Sequence, residues 1–177
     1  MKDLELVFED VASYPGYWHL CGICLIVVLA LLDTRAKRGG VLTIFFWNLP
    51  GVFLHELTHL CAGTILLAKP ISFHLLPRKR STGWQLGAVT FQRLNAFNSL
   101  PVGLAPLGLV AVAYFIFTHW THWFPSTLSS ILGAYVALFF LVYNSIPSRQ
   151  DIRVAFSLGS ILVYGTVLFV LYEFFWT

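Results

Sequence analysis

Charged residues are scarce in this chain. Asp, Glu, Lys and Arg together make up 11% of its 177 residues, whereas a soluble domain carries about a quarter. The deficit excludes an ordinary water-soluble globule. With 58% hydrophobic residues and a mean hydropathy of +0.77, the chain falls among membrane proteins. Carboxylates are the scarcest charges: beyond the N-terminal tail only Asp33, Glu56, Asp151 and Glu173 occur. The three cysteines, Cys21, Cys24 and Cys61, all lie in apolar segments and supply no disulfide framework. Cys21 and Cys24 form a C-x-x-C, read as small apolar residues on one helix turn rather than as a redox or zinc motif. There is no internal repeat and no low-complexity segment. No positive region precedes an apolar run at the N-terminus, so no cleavable signal peptide is expected. The net charge of +3 is small, and the basic residues cluster in "TRAKRGG" and "PRKRS". Such clusters flank membrane segments, and no nucleic-acid partner is expected.

The apolar runs predict five spans, at residues 17–32, 41–68, 100–117, 126–143 and 152–176. The second contains Pro50 and Gly51, which predict a kink. Residues 69–95 have a different pattern. "ISFHLLP" and "WQLGAVTFQRL" are short strand-like runs joined by the turn-rich "RKRSTG", which predicts a β-hairpin. Trp120 and Trp123, in "THWTHWFP", suit the headgroup level, with His119 and His122 facing water there. The fold expected is an all-α polytopic membrane protein: one integral-membrane domain over residues 1–177, with about five transmembrane helices. A membrane-associated β-hairpin is inserted after the second helix, at about residues 70–93.

That second helix carries "HELTH", an HExxH motif. Residues four apart share a helix face, so His55 and His59 can reach one ion together. Zinc takes imidazole nitrogen at about 2.0–2.1 Å. Glu56, one position on, can reach a water activated by that ion and act as general base. The location adds to the argument. Each ionisable group inside a span costs about 2.5–3.5 kcal/mol on insertion scales, and a bound cation offsets that cost. An unliganded polar cluster, or a haem held by His55 and His59, is the other reading.

A catalytic zinc takes three protein ligands plus water, so a third donor must come from elsewhere. Asp33 and Glu173, near the ends of apolar runs, read as interfacial. Asp151 follows the Pro-broken end of a span in "YNSIPSRQDIRVAF" and can be carried back into the bundle by an irregular turn. Its other reading is an N-terminal carboxylate of the fifth helix, or a partner of Arg149 or Arg153. His74, in the hairpin, is the alternative third ligand.

The order of these features resembles the site-2 protease family of intramembrane zinc metalloproteases over roughly residues 45–160. "HELTH" lies inside a span; a β-like segment and a Pro-containing span start follow; Asn, Pro and Asp come at a later span. The resemblance implies one Zn2+ per chain, held by His55, His59 and Asp151, with Glu56 as the catalytic glutamate. It also places Asn144 and Pro147 on the N-x-x-P ahead of the aspartate, where Asn144 is a candidate for the substrate carbonyl or the oxyanion. Two positions depart from the family: Ile152 stands where glycine usually follows the aspartate, and Leu109 where asparagine is common. "PSRQD" is similar to the minimal bacterial zincin-peptidase-like members.

The function expected is intramembrane proteolysis of transmembrane protein substrates in the lipid bilayer. An extended substrate would add to the hairpin, near Gln85, Thr90 and Gln92. The alternative is a zinc-binding membrane scaffold without turnover. With five spans, eight Lys and Arg residues (Lys2, Lys69, Arg78, Lys79, Arg80, Arg93, Arg149, Arg153) share one face, and Arg35, Lys37 and Arg38 share the other. The positive-inside rule then puts the N-terminus and the hairpin in the cytoplasm of a bacterial cell.

Overall fold

A computed structural model describes residues 15–80 and 83–176; the acidic tail expected at the membrane interface lies outside the described residues. The chain is mostly helical with a small amount of antiparallel sheet. In order it forms α1 (Gly16–Arg38), α2 (Val41–Ile65), β1 (Pro70–His74), β2 (Arg78–Arg80), β3 (Gly83–Gln85) and β4 (Ala88–Phe91). There follow α3 (Ser99–Gly103), a 3-10 turn (Ala105–Leu107), α4 (Gly108–Trp123), α5 (Leu128–Tyr143), α6 (Arg149–Ala155) and α7 (Leu158–Trp176).

Three of these helices, α1, α2 and α7, are long and apolar enough to cross a membrane, with 23, 25 and 19 residues. The structure does not reproduce the five spans expected. The run at 100–117 is broken into α3, the 3-10 turn and the start of α4, because Pro106 cannot donate to a helix ladder. The run at 152–176 is divided between α6 and α7 at Ser157. Helix α5 is apolar but has only 16 residues, about 24 Å against a hydrocarbon core of about 30 Å.

The chain divides into two compact units. One comprises residues up to Gly51 with Leu109–Ser145; the other comprises Val52–Gly108 with the residues from Ile146 onward. In the first unit α1 packs on α5. Ile131, Ala134 and Tyr135 form a buried cluster, covered by Trp18, Ile26, Phe117 and Trp120. Gly22 lies directly against the Tyr135 ring, and a side chain there would overlap it. Small residues let helix backbones approach in this way. Helix α1 ends with Arg35, Lys37 and Arg38 in its last turn, where cations complement the helix dipole. Gly40 follows at φ 97°, a left-handed conformation that suits glycine. Asp33, near the end of α1, is withdrawn from water by the protein itself. It is 2% exposed, and accepts from Lys37 Nζ at 2.6 Å, Tyr143 Oη at 2.6 Å and Asn48 Nδ2 at 3.3 Å. Its i+4 lysine and the tyrosine hydroxyl make that burial tolerable.

Helix α2 is continuous through Pro50. It closes with the Ala68 N–H bonded to the Gly63 carbonyl and the Leu67 N–H to that of Thr64, with Leu67 left-handed at φ 54°. This is a Schellman ending, and placing leucine rather than glycine there costs about 1–2 kcal/mol. It turns the chain into the hairpin of the second unit. That hairpin has two storeys: β1 pairs with β4 (Ser72 opposite Thr90, His74 opposite Ala88), and β2 pairs with β3 (Arg78 opposite Gln85). It is held to α2 by Phe53 edge-on to Phe73, and by Gly63, which lies against Phe91. Asn98, buried beyond the hairpin, donates to the Arg93 carbonyl at 2.9 Å. Helices α3 and α6 meet through Gly103, where an added Cβ would stand 2.6 Å from the Asp151 carbonyl oxygen. Helix α7 buries only Ser160 among the described residues, hydrogen-bonded to Ser99 at 2.7 Å. Its remaining surface is largely apolar, with the exposed Glu173 near its C-terminal end, a composition that suits a lipid-facing helix.

Candidate metal centre

His55 and His59 project from one face of α2, four residues apart. The His59 ring is oriented by α3: Nδ1–H donates to the Val102 carbonyl at 2.8 Å. That bond leaves Nε2 as the free nitrogen and turns it away from Val102, in the manner of a metal-ligating histidine held by a backbone carbonyl.

Asp151 arrives from α6, and its position follows from a local sequence rule. Ser148 caps the helix, its hydroxyl accepting from the Asp151 N–H at 3.3 Å, while Asp151 Oδ2 accepts from the Ser148 N–H at 2.6 Å. This S-x-x-D capping box fixes the first turn and aims the carboxylate. Both sequence readings of Asp151 therefore describe the same side chain: it caps α6, and it faces the histidines. Oδ2 stands 3.3 Å from His55 Nε2, and Oδ1 3.2 Å from His59 Nε2; the two Nε2 atoms are 3.3 Å apart. Burial alone would raise the Asp151 carboxyl. With a proton on the facing imidazole nitrogens, hydrogen bonds from His55, His59 and Ser148 outweigh it and hold the group below the usual carboxylate range.

These distances fit a cation. Ligands about 2.0–2.1 Å from one ion at tetrahedral angles stand about 3.3–3.4 Å from each other. The two histidine nitrogens stand at that edge length and each meets a different oxygen of Asp151; one ligand atom from each residue lies within 4.8 Å of the others, so the three form a group able to hold a metal ion. The set offers two imidazole nitrogens and one carboxylate, a combination that suits zinc and other borderline divalent metals. His59 Nε2 and Asp151 Oδ1 are both electron-rich and face each other closely. A proton or a metal cation between them removes the conflict.

Glu56 is 8% exposed and stands beside the three donors without belonging to the group. The hairpin holds it. The Val89 backbone lies beside its carboxylate, and Gly87 lies so close that a Cβ there would be 2.9 Å from Glu56 Oε1. A residue with a side chain at position 87 would displace the glutamate.

His74 is not one of the grouped donors; it lines a cleft on the hairpin. Asn144 belongs to the first unit, at the end of α5, where its amide donates to the Phe140 carbonyl at 2.9 Å and lies against Gly51. Val102, Gly87 and Gly103 were not singled out in the sequence. The first acts only through its carbonyl and the glycines only through having no side chain, so none leaves a residue-type signal. Cys21, Cys24 and Cys61 are free and exposed.

The chain matches no protein-family model, no curated protein and no solved structure. The chemistry of the centre therefore rests on its own geometry. That geometry comprises three donor residues grouped closely enough to share an ion, a second carboxylate close by, and helices suited to a membrane.

Proposed function

We propose that this chain is an integral-membrane zinc metalloprotease, similar to the site-2 proteases, that hydrolyses peptide bonds of transmembrane protein substrates. The observation that carries the proposal is the division of labour among four side chains: His55, His59 and Asp151 stand at ligand spacing, while Glu56 is buried beside them and is not a donor. Three protein ligands are the number a catalytic zinc takes; structural zinc takes four.

Zinc bound there supplies Lewis acidity, which makes water a usable nucleophile near neutral pH. The remaining chemistry belongs to the chain. Glu56 takes the proton of the attacking water on its carboxylate and passes it to the leaving nitrogen. Gly87 and the Val89 backbone keep that carboxylate in place. The Val102 carbonyl keeps His59 in the tautomer that presents Nε2. Asn144, through its place in the N-x-x-P pattern, is the candidate for the substrate carbonyl or oxyanion. A two-stranded sheet leaves an outer edge on each strand, and an extended substrate segment can pair there. In this reading α4 and the short α5 add to the three longer helices to make five crossings. The basic hairpin then lies on the cytoplasmic side of a bacterial membrane.

The departures at Leu109 and Ile152 favour a second reading, a zinc-binding scaffold without turnover. Glu56→Gln separates the two. In cells co-expressing single-span membrane proteins, the wild type should cleave and the Gln variant should lose about 10²–10⁴-fold or more in rate, with zinc content unchanged. Unchanged cleavage by the variant would end the proposed mechanism.

A further inference from the structure

Three hydroxyls line one face of α7 and its entry. Ser157, just before the helix, Ser160 and Tyr164 follow an i, i+3, i+7 spacing. Tyr164 Oη donates to the Phe97 carbonyl, and Ser160 Oγ donates to the Ala96 carbonyl at 3.1 Å. A hydroxyl has one proton to give. With that of Ser160 given to Ala96, the 2.7 Å contact between Ser99 Oγ and Ser160 Oγ is a bond that Ser99 donates. The 3.4 Å contact between Ser157 Oγ and Ser99 Oγ is then one that Ser157 donates. The bonds run in one direction, from Ser157 through Ser99 and Ser160 to a backbone carbonyl. Ser99 is 4% exposed and Ser160 1%, so water does not replace a partner that is lost there.

A helix does not need such bonds for its own sake. Thr166, on the same helix, gives its proton back to the Leu162 carbonyl one turn earlier, the ordinary way to satisfy a hydroxyl inside an apolar helix. Ser160 reaches outside its helix, and what it holds is the start of α3. That five-residue helix has two tasks at the metal centre. The Val102 carbonyl orients His59 at 2.8 Å, and Gly103 lies against the Asp151 carbonyl and against Ala155. Ser99 is its first residue, three before Val102. In a helix this short, a displacement of one end moves the other. All of these residues belong to the second unit.

We propose that Ser160 is a positioning residue for the metal centre. Through Ser99 it fixes the place of α3, and α3 fixes the direction of His59 Nε2 and the backing of Asp151. Helix α7 is thereby part of the frame of the centre, although it contributes no donor to the group. Ser160 is its one buried residue among those described, so the hydroxyl seam joins a lipid-exposed helix to the ligands. The proposal rests on the metal-ion reading of His55, His59 and Asp151 and is independent of hydrolysis.

The test uses the purified full chain in detergent micelles with Co2+ as the probe, because the visible absorption of that ion reports the geometry of its ligands. Losing a direct partner of a metal ligand costs about 10–100-fold in affinity; Ser160 acts one step farther out, so Ser160→Ala should weaken Co2+ binding about three- to tenfold. It should also shift the absorption bands at saturating Co2+, where differences in affinity and in folded fraction are removed by mass action. Ser99→Ala takes away the same bond from its other side and should give the same shift, which keeps the proposal falsifiable if Ser160→Ala does not fold. The double variant should be no weaker than the weaker single one, as expected of two residues acting through one bond. Thr118→Val removes a similarly buried hydroxyl from α4 in the first unit and should leave affinity and bands unchanged. Wild-type bands in both serine variants overturn the proposal. So does an equal shift with Thr118→Val, which would make the effect a general loss of packing. If the wild type itself binds no Co2+, the ligand reading fails and the proposal with it. Cleavage is not among the readouts, so a failure of the hydrolysis reading leaves the result standing.

Discussion

Asp33 and Asp151 are both drawn away from water in this apolar chain, and they are compensated in opposite ways. Asp33, in the first unit, is matched by the chain's own groups: an ammonium four residues on, a tyrosine hydroxyl and an asparagine amide, with Lys37 also donating to Tyr143. Its charge is cancelled within the protein. Asp151, in the second unit, faces two imidazoles and a helix-capping amide, with no Lys or Arg ion pair among the described residues, and the nearer nitrogen of His59 is a lone-pair donor in the tautomer that Val102 fixes. No lysine or arginine is grouped with it. A buried carboxylate that the chain neutralises itself stabilises a helix junction. One left for something else to neutralise marks a place able to take a cation.

The contrast can be broken most severely at the metal centre. His55→Ala should lower metal content from about one ion per chain to less than about a tenth, read by metal analysis of purified protein. His74→Ala, changing a cleft residue, should leave metal content intact. If His74→Ala loses the metal and Asp151→Ala keeps it, the ligand set is wrong.

Asp33→Ala should act on stability and not on metal. It leaves the Tyr143 hydroxyl and the Asn48 amide without their acceptor, at a cost of about 1–3 kcal/mol. Lys37 is half-exposed and can turn to water. The double change Asp33→Leu with Lys37→Met should recover much of the loss, because a paired charge replaced by apolar groups is often nearly neutral. Denaturation midpoints in mixed micelles, measured beside zinc content, check both halves. A fall in zinc content with Asp33→Ala would show that the two carboxylates are not independent.

The smallest effect should come from Ser148→Ala. Losing the cap costs about 1 kcal/mol at the start of α6. Because the same turn aims Asp151, zinc affinity should fall about tenfold, as read by competition with a chromogenic chelator. Unchanged affinity would mean that Asp151 is held by the histidines alone.

Much of the centre was legible because it follows from short spacings. The i, i+4 pair of His55 and His59 is a property of any helix, and S-x-x-D at Ser148 and Asp151 is a capping pattern readable in the chain. The hairpin was legible from its alternation and its turn-rich middle. The internal breaks in the apolar runs were not. Hydropathy treats residues 100–117 and 152–176 as continuous, while Pro106 and the break at Ser157 divide them. The burial of Asp33 was not legible for a related reason: its neighbours Arg35, Lys37 and Arg38 suggest water, and only Tyr143, arriving from a distant helix, makes that burial tolerable.

The sequence by itself determined that the chain suits a membrane, that two imidazoles share one helix face with a glutamate beside them, and that a hairpin follows. Each depends on neighbours within a few residues, where helix and strand periodicity govern. Tertiary structure alone decided which of the few carboxylates joins the histidines, that a backbone carbonyl of a five-residue helix orients His59, and that a glycine of the hairpin lies against Glu56. Those outcomes depend on contacts between segments distant in the chain, through a carbonyl and a missing side chain that have no signature in residue type.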